Sequence, residues 1–152
     1  MKIDLFVNRI RSYFPLTKEN LQKWTEWINS PVVRQTVNST LRPKTAEMQW
    51  NWIQKELDSH NRILLEICDK LDNSFLGVVS LSDIDNNIRS AQISTISPFK
   101  KKKNNQYSIY EARIAILNYA FNELSLNKVW AATVYPENKS YMIKNMCIGF
   151  EI

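Results

Sequence analysis

The sequence predicts an α/β fold whose mixed sheet combines an antiparallel meander with one β-α-β crossover. Two segments with the spacing of amphipathic helices come first in the chain. Three short apolar segments follow, separated by turns rich in Asp and Asn, and strands connected in this way pair antiparallel. A long apolar helix and a further strand come next, and a helix between two strands places those strands parallel to each other.

Both N-terminal helices have recognisable ends. Thr17 is a suitable cap for a helix that runs to about Asn29, where Ser30-Pro31 is expected to stop it. A second helix is expected from about Pro43 to His60. The residues expected to face the core are Leu21, Trp24, Trp27 and Ile28 in the first helix, and Met48, Trp52, Ile53 and Leu57 in the second.

The next three segments are predicted to be strands. Residues 63–68, 75–81 and 91–96 are short and rich in apolar side chains. Turns are expected at Asp72-Asn73 and at Asp85-Asn86-Asn87, because Asp and Asn side chains bond to nearby backbone amides. These strands form the antiparallel meander.

The C-terminal third supplies the crossover. Ser108 and Glu111 have the spacing of a capping box, in which a serine cap and a glutamate three residues later bond to first-turn amides. The helix that follows runs to about Leu124 and is apolar on most sides, as expected for a helix buried against a sheet. Residues 128–135 are expected to form a strand. A last helix over about 137–147 ends before Gly149, a suitable left-handed cap.

The composition fits a single globular domain spanning residues 1–152. The 152 residues include 44% hydrophobic and 23% charged side chains, a balance that disordered chains lack. No segment approaches the roughly 18 consecutive apolar residues of a membrane span, and Asp4 interrupts the apolar region that a secretory signal would need. Two cysteines and one histidine are too few for a closed zinc site or a disulfide framework. We therefore expect no metal, and buried thiols in a reducing cytoplasm.

The positive charge is concentrated at one turn. The formal net charge is +5, and four of the 20 basic residues are consecutive, Lys100 to Lys103. Local basicity indicates one anion site or one solvated turn, whereas duplex nucleic acid usually requires a positive face spread over the surface. The lysines come just before the helix that begins near Ser108, and first-turn amides bind phosphate-like anions. Asn104 and Asn105 tolerate the left-handed backbone that turns amides toward one point, although Glu111 would use part of the same potential.

Three stretches resemble the GCN5-related N-acetyltransferase superfamily, in particular its branch of ribosomal-protein and nucleotide-sugar N-acetyltransferases. They are Ala91-Gln92-Ile93-Ser94 continuing to Ile96-Ser97, then Glu111-Ala112 with Leu117-Asn118-Tyr119-Ala120-Phe121-Asn122-Glu123-Leu124-Ser125-Leu126-Asn127-Lys128-Val129, and finally Val134-Tyr135-Pro136-Glu137-Asn138-Lys139-Ser140 with Ile148-Gly149-Phe150. The front half agrees more loosely, and the similarity runs from about Pro15 to Ile152. The resemblance implies the acyl-CoA N-acyltransferase fold, with acetyl-CoA as the co-substrate and no metal.

In that family the cofactor lies where two neighbouring parallel strands splay apart, with its pyrophosphate on a Gln/Arg-x-x-Gly-x-Gly/Ala loop before the long helix. The matching residues here are Lys102-Lys103-Asn104-Asn105-Gln106-Tyr107, followed by Ser108. Lys102 keeps the cation, but both glycines are absent and Tyr107 is not small. The resemblance further implies that Ile96 and Ser97 contact the acetyl and pantetheine arm. It also implies that Asn138 contacts the cofactor from the start of the last helix.

The resemblance implies direct attack of a primary amine on the thioester, with a base for the amine proton and an acid for the leaving thiolate. The position of the family's candidate glutamate base holds Gln92, which cannot take a proton. The position of its tyrosine acid holds Asn145, which can hydrogen-bond sulfur but cannot protonate it. Of the carboxylates in reach, Glu66, Asp83 and Asp85, we favour Asp83 because it is expected to end a strand on the acceptor side.

The acceptor stays open at this stage. Gln49 and Trp52 in the second helix favour an amino-sugar carried on a nucleotide, with a protein N-terminus next. The alternative is a catalytically degenerate relative that binds coenzyme A or serves as an interaction module, because the glycines, the base and the acid are all replaced. A third interpretation is nucleic-acid binding by the lysines. Relatives continue past the Gly-Phe pair with one or two strands, whereas this sequence ends at Ile152, so we expect an uncovered sheet edge and either a homodimer or marginal stability.

Overall fold

A computed structural model describes residues 4–7, 10–13, 16–36, 44–97, 107–134 and 136–151. Helices and strands follow the order that the sequence predicts, with two added strands at the N-terminus and one added short helix between the two predicted helices. In chain order they are β1 (Asp4–Val7), β2 (Ile10–Tyr13), α1 (Lys18–Asn29), α2 (Pro31–Thr36), α3 (Ala46–Asp58), β3 (Ile63–Asp69), β4 (Phe75–Asp85), β5 (Ser90–Ile96), α4 (Ser108–Asn122), β6 (Lys128–Trp130) and α5 (Lys139–Met146).

The six strands form one mixed sheet in the order β1-β2-β3-β4-β5-β6. Neighbours from β1 to β5 are antiparallel, and β5 pairs with β6 in parallel across the connection made by α4. The predicted α/β class, the meander and the crossover are therefore confirmed. Periodicity does not predict the β1–β2 hairpin, because four-residue strands carry little periodicity and depend on the neighbouring strand for their pairing.

Two apolar layers lie on opposite faces of the sheet. Successive residues of a strand point to opposite faces, so Leu65 and Leu64 of β3 enter different layers. One layer packs against α4 through residues such as Ile116, and the other packs against α1 and α3 through residues such as Trp24 and Ile53. Burial of one such side chain stabilises the fold by about 1.5–3 kcal/mol, and the two layers place the sheet between helices.

The predicted boundaries of α1 are confirmed. The Thr17 hydroxyl accepts a hydrogen bond from the Asn20 amide at 3.2 Å, and Ser30 caps the other end. Pro31, however, begins α2 instead of ending helical structure, because proline fits the first position of a helix, where no amide partner is needed.

The inward face of α3 differs from the expectation. Ile53 is buried and Trp52 is half-buried as predicted, but Met48 is 54% exposed. Gln49, which is 1% exposed, faces the interior instead. The inward face of the helix is therefore rotated toward Gln49. The predicted core residue Leu57 cannot be compared, because its side chain lies outside the described part of the chain.

Several C-terminal helices and strands are shorter than predicted. Ser108 is the buried first residue of α4, and Tyr107 occupies the cap position without a capping hydrogen bond from its side chain. The predicted capping box with Ser108 as the cap is therefore wrong. β6 ends at Trp130 instead of continuing to 135, since residues 131–134 leave the sheet. Gly149 follows α5 with a φ of 94°, which confirms its left-handed role.

Candidate active site

The parallel strands β5 and β6 part after three pairs of residues. Ser90, Ala91 and Gln92 pair with Lys128, Val129 and Trp130, after which β5 continues to Ile96 while the other chain leaves the sheet. We call the opening between residues 93–96 and 131–134 the strand gap. It lies at the carboxyl ends of adjacent parallel strands, where open α/β sheets characteristically bind ligands.

Arg113 connects the elements around the strand gap. Its side chain extends from α4 and is 2% exposed. One guanidinium nitrogen donates to the Thr95 hydroxyl at 3.1 Å and to the Tyr141 hydroxyl at 3.0 Å, and the other donates to the side-chain oxygen of Asn145. The Tyr141 hydroxyl also lies 3.4 Å from the carbonyl oxygen of Ile93. These bonds hold α4, β5 and α5 together at the gap.

The charge of Arg113 has no carboxylate within ion-pair distance among the described residues. Its Nε atom is buried and has no hydrogen-bond partner in the described part of the chain, and the Tyr141 ring lies 4.9 Å from the guanidinium carbon. A buried guanidinium without a counter-ion favours negative charge nearby. Sequence reasoning missed Arg113. The signal available was one arginine on a helix otherwise judged apolar on most sides.

The residues predicted for catalysis do not form one cluster. Gln92 is half-buried at the last β5–β6 pair. Asn145 is 5% exposed and accepts a hydrogen bond from Arg113, so it lies beside the strand gap. Asp83 is exposed on β4 with a φ of 51°, where the pairing with β5 shifts register. It therefore lies within β4, not at its end as predicted. Within the described part of the chain, no hydrogen bond joins it to Arg113.

The other two candidate carboxylates have structural partners. Glu66 is buried, where it accepts hydrogen bonds from the Thr17 amide and, at 2.6 Å, from the Asn20 side chain. Burial raises the pKa of this carboxyl, although the hydrogen bonds oppose the shift. Asp85 accepts bonds from the Asn87 and Ile88 amides and so forms the turn that the sequence predicts.

The predicted cofactor-binding residues are partly described. Ile96 and Ser97 are half-buried at the end of β5, beside the strand gap. Tyr107 is exposed just before α4, and Asn138 occupies the cap position of α5 without capping it through its side chain. The remaining residues of this prediction, Lys102, Lys103, Asn104, Asn105 and Gln106, lie outside the described residues.

A cavity of about 250 Å³ lies on the face of the sheet opposite α4, between the N-terminal helices and the strands. We call it the tryptophan cavity. Its walls come from α1, α2, α3 and residue 44, and from β3, β4, β5 and residue 62, as follows: Trp24, Ile28, Val33, Lys44, Gln49, Trp52, Arg62, Leu64, Val78, Ser80, Ser94 and Ile96. Because Ile96 also borders the strand gap, the cavity and the gap adjoin at the end of β5.

Two polar atoms in the walls of the tryptophan cavity have no hydrogen-bond partner among the residues that the structure describes. They are the indole Nε1 of Trp24 and the side-chain oxygen Oε1 of Gln49, both buried. Leaving such an atom unpaired costs roughly 1–3 kcal/mol. Other polar groups in the wall do have partners, since the Ser80 and Ser94 hydroxyls lie 2.8 Å apart.

The thiols and charged groups support no metal centre in the described part of the chain. No three His, Cys, Asp or Glu side chains there come close enough to hold an ion. Cys68 is buried as expected, but Cys147 is exposed, which corrects the expectation of two buried thiols. Within the same residues, no helix is both long and apolar enough to cross a membrane.

The residues around the strand gap fit an acetyl-CoA thioester arm. The gap opens one edge of β5 beyond Gln92, and the buried guanidinium beside it retains an unpaired donor. A strand edge offers backbone groups to an extended pantetheine chain, and a fixed cation stabilises negative charge that develops during acyl transfer. Fold and site are therefore compatible with an acyl-group transferase of the α/β class.

Comparison with known proteins identifies the family. The sequence profile described as "Acetyltransferase (GNAT) domain" matches residues 13–142. Because this match covers most of the chain, the protein belongs to the GNAT acetyltransferase family and is an N-acetyltransferase by family. Among curated protein sequences, none matches the chain.

Solved structures share the fold. A GNAT-family acetyltransferase from Bacillus anthracis is 18% identical, with a TM-score of 0.78 over 98% of this chain and 84% of that one. Spermidine N-acetyltransferase from Vibrio cholerae, in complex with CoA and spermine, is 17% identical, with a TM-score of 0.78 over 94% and 81%. A nucleotide-linked sugar GNAT is 15% identical, with a TM-score of 0.76 over 99% and 83%. At these identities the likeness establishes the fold alone.

Proposed function

We propose that this protein transfers an acetyl group from acetyl-CoA to a primary amine. The observation that carries the proposal is the strand gap, where β5 and β6 part beside the buried guanidinium of Arg113. The gap adjoins a separate cavity at the end of β5. A site for a thioester arm and a site for an acceptor thus meet on one strand, as acyl transfer requires.

Acetyl-CoA supplies an acetyl thioester, and this chain supplies groups to hold it. Ile96 and Ser97 offer backbone groups at the end of β5. Lys102 to Ser108 precede or begin α4, where first-turn amides and lysines favour a pyrophosphate. Asn138 stands at the start of α5 on the far side of the gap.

For the proton transfers we retain Asp83 as the proposed acceptor of the amine proton, acting through water from its exposed position on β4. Gln92 and Asn145 serve as hydrogen-bonding groups, since neither amide exchanges a proton at neutral pH. Arg113 holds Asn145 and Tyr141 in place and contributes the positive charge that favours departure of a thiolate.

We propose an amino-sugar carried on a nucleotide, or a protein N-terminus, as the acceptor. The structural neighbours include a spermidine N-acetyltransferase and a nucleotide-linked sugar GNAT, so this fold serves chemically different amines. We further propose that the protein acts in a reducing cytoplasm, which suits a chain with an exposed thiol at Cys147.

We also propose a homodimer formed through β6, the last strand of the described sheet. A groove of about 1040 Å³ runs between β6, α4 and α5 and includes the exposed side chains of Trp130 and Met146. An open strand edge beside apolar side chains favours association. A spermidine N-acetyltransferase with this fold has been solved as a dodecamer.

The test is stabilisation by the cofactor. Saturating acetyl-CoA should raise the melting temperature, because a ligand that binds only the native state stabilises it. Lys102→Glu with Lys103→Glu should lower the affinity at least about tenfold by opposing the pyrophosphate charge. The matched reversal Lys18→Glu with Lys55→Glu, at exposed positions of α1 and α3, should change it little.

Turnover is measured as thiol release with a panel of amines. Release with one of them would support the transferase. No change in melting temperature with acetyl-CoA would refute cofactor binding. Stabilisation by acetyl-CoA without thiol release by any amine would favour the alternative, a catalytically degenerate CoA-binding module. The hydrogen bond from Arg113 to the Asn145 side-chain oxygen supports this alternative, because it occupies the side chain at the position of the family's tyrosine acid.

A further inference from the structure

The two residues predicted for catalysis that lie at the strand gap cannot act as an acid. Gln92 and Asn145 carry amides, which do not give up a proton at neutral pH. Acyl transfer from a thioester to an amine nevertheless releases a thiolate, and a positioned acid that protonates it lowers the barrier to its departure. Tyr141 carries an ionisable hydroxyl at the gap, on a half-buried side chain of α5. The phenol is therefore the group whose chemistry fits this step.

The hydrogen bonds of the Tyr141 hydroxyl fix the direction of its hydrogen. A guanidinium nitrogen of Arg113 donates to the phenol oxygen at 3.0 Å, and arginine carries no acceptor. The hydroxyl hydrogen therefore points elsewhere, and its acceptor in the described part of the chain is the carbonyl oxygen of Ile93, 3.4 Å away. An ordinary O–H···O bond spans about 2.5–3.0 Å. The hydrogen is thus held loosely at the edge of β5, where a stronger acceptor would take it.

Ile93 marks the closed end of the strand gap. Gln92, the residue before it, forms the last pair between β5 and β6, whereas Ile96 ends β5. A strand rises about 3.3 Å per residue, so roughly 10 Å separate Ile93 from Ile96. A pantetheine arm whose pyrophosphate lies before α4 enters at the Ser97 end of the gap, because the chain leads from there toward α4. The sulfur at the far end of the arm then lies near Ile93 and the Tyr141 hydroxyl.

Arg113 holds the phenol hydroxyl next to the Asn145 side chain. Its two terminal guanidinium nitrogens donate to the Tyr141 oxygen and to the Asn145 side-chain oxygen, one each. Residues four apart share one face of a helix, so the phenol oxygen reaches the side chain of residue 145 from one turn earlier on α5. Because the guanidinium donates to the phenol oxygen, it also stabilises the negative charge that this oxygen gains as its proton leaves.

We infer that Tyr141 is the acid that protonates the departing CoA thiolate and that Arg113 is its positioning residue. The amine lone pair forms the N–C bond to the acetyl carbonyl carbon, the C–S bond breaks, and its electron pair goes to sulfur. Sulfur takes the phenol proton, the amine proton passes through water to the proposed acceptor Asp83, and the phenolate regains a proton from solvent. This inference rests on the proposed acetyltransferase function and assigns the acid that Gln92 and Asn145 cannot provide.

Binding of CoA to the intact protein tests the contact without turnover. Calorimetry compares CoA with desulfo-CoA, which lacks the sulfur, at about pH 7 and about pH 9, on either side of the ordinary thiol pKa of about 8.5. Tyr141→Phe should weaken CoA binding about tenfold at the higher pH, because it removes a hydrogen bond to the thiolate. Binding of desulfo-CoA should stay unchanged. Tyr119→Phe removes the same atom from a half-buried side chain in the apolar layer against α4, and this control should change neither affinity.

Single-turnover thiol release tests the transfer of the proton. Tyr141→Phe should slow release at least about 100-fold, while the melting temperature changes little because the ring over the Arg113 guanidinium is kept. The wild-type rate should fall at alkaline pH as the phenol loses its proton, and Tyr141→Phe should lack this fall. Replacement of Tyr141 by 3-fluorotyrosine, a more acidic phenol, should move the fall to lower pH. A purely structural role of the ring would not produce that shift.

The outcomes separate this inference from the proposed function. If Tyr141→Phe leaves the ratio of the CoA and desulfo-CoA affinities unchanged, or if 3-fluorotyrosine leaves the alkaline fall in place, the inference is overturned, while binding of desulfo-CoA still supports the cofactor site. Loss of the sulfur-dependent affinity without thiol release by any amine would support the placement of the phenol and count against the proposed transfer. Absence of binding by either compound would refute both.

Discussion

Gly77 allows the contact between β4 and the end of β5 to be tested. A Cβ atom at this position would lie 2.6 Å from the carbonyl oxygen of Ile96 and 3.2 Å from the Cβ of Ser97. Ordinary contacts between carbon atoms are about 3.5–4.0 Å, so Gly77→Ala must displace the end of β5 by roughly 0.5–1 Å. Because the atom in the way belongs to the backbone, no side-chain rotation relieves the clash.

The expected cost of Gly77→Ala is about 1–3 kcal/mol, the usual range for overpacking a closely packed interior. For a domain of this size that corresponds to a fall of roughly 3–10 °C in melting temperature. The displaced residues, Ile96 and Ser97, are those proposed to hold the acetyl-CoA arm. A misplacement of about 1 Å in a reacting group can lower the rate by about 100-fold, so the variant should lose turnover even well below its melting temperature.

Urea unfolding measures the loss of stability, and acetyl-CoA titration with a thiol-release assay measures the effects on cofactor affinity and turnover. Gly149→Ala is the matched control, because its φ of 94° makes alanine strained while no atom lies within 4 Å of the added Cβ. It should cost about 1 kcal/mol through backbone strain and leave β5 in place. A Gly77→Ala variant as stable as the wild type, with unchanged cofactor affinity, would refute the close β4–β5 contact.

Two further predictions concern the attachment of α1 to β3. Burial raises the pKa of Glu66 in the native state above the ordinary value of 4.5. Between these two pKa values the native state binds more protons than the unfolded state. The free energy of unfolding therefore falls as pH rises through this window. Urea titrations across this window should show a shallower dependence for Glu66→Gln than for the wild type, and equal slopes would contradict the assignment. Thr17→Ala removes the hydroxyl that accepts the Asn20 amide and should cost about 1 kcal/mol, the usual effect of losing such a cap. Thr17→Ser should retain most of that stability in the same assay, and equal losses in the two variants would show that the hydroxyl does not cap α1.

The sequence by itself determined the order of most elements and the family. Periodicity distinguishes the helices from the strands, and the crossover follows from one long apolar helix between two strands. The resemblance at Leu117 to Val129 and at Val134 to Ser140 indicated an acetyltransferase, which the family match over residues 13–142 confirms. These signals are local, so a single chain displays them without its tertiary contacts.

Only the tertiary structure decided which residues meet at the site. Arg113 approaches Asn145 across 32 positions of sequence, and the unpaired atoms of Trp24 and Gln49 become apparent only when three helices and the sheet enclose a cavity. Asp83 could not be placed from its spacing, because a register shift in β4 decides its direction. The physical reason is that hydrogen-bond partnership and burial depend on distances between separate elements, which the packing of both apolar layers sets.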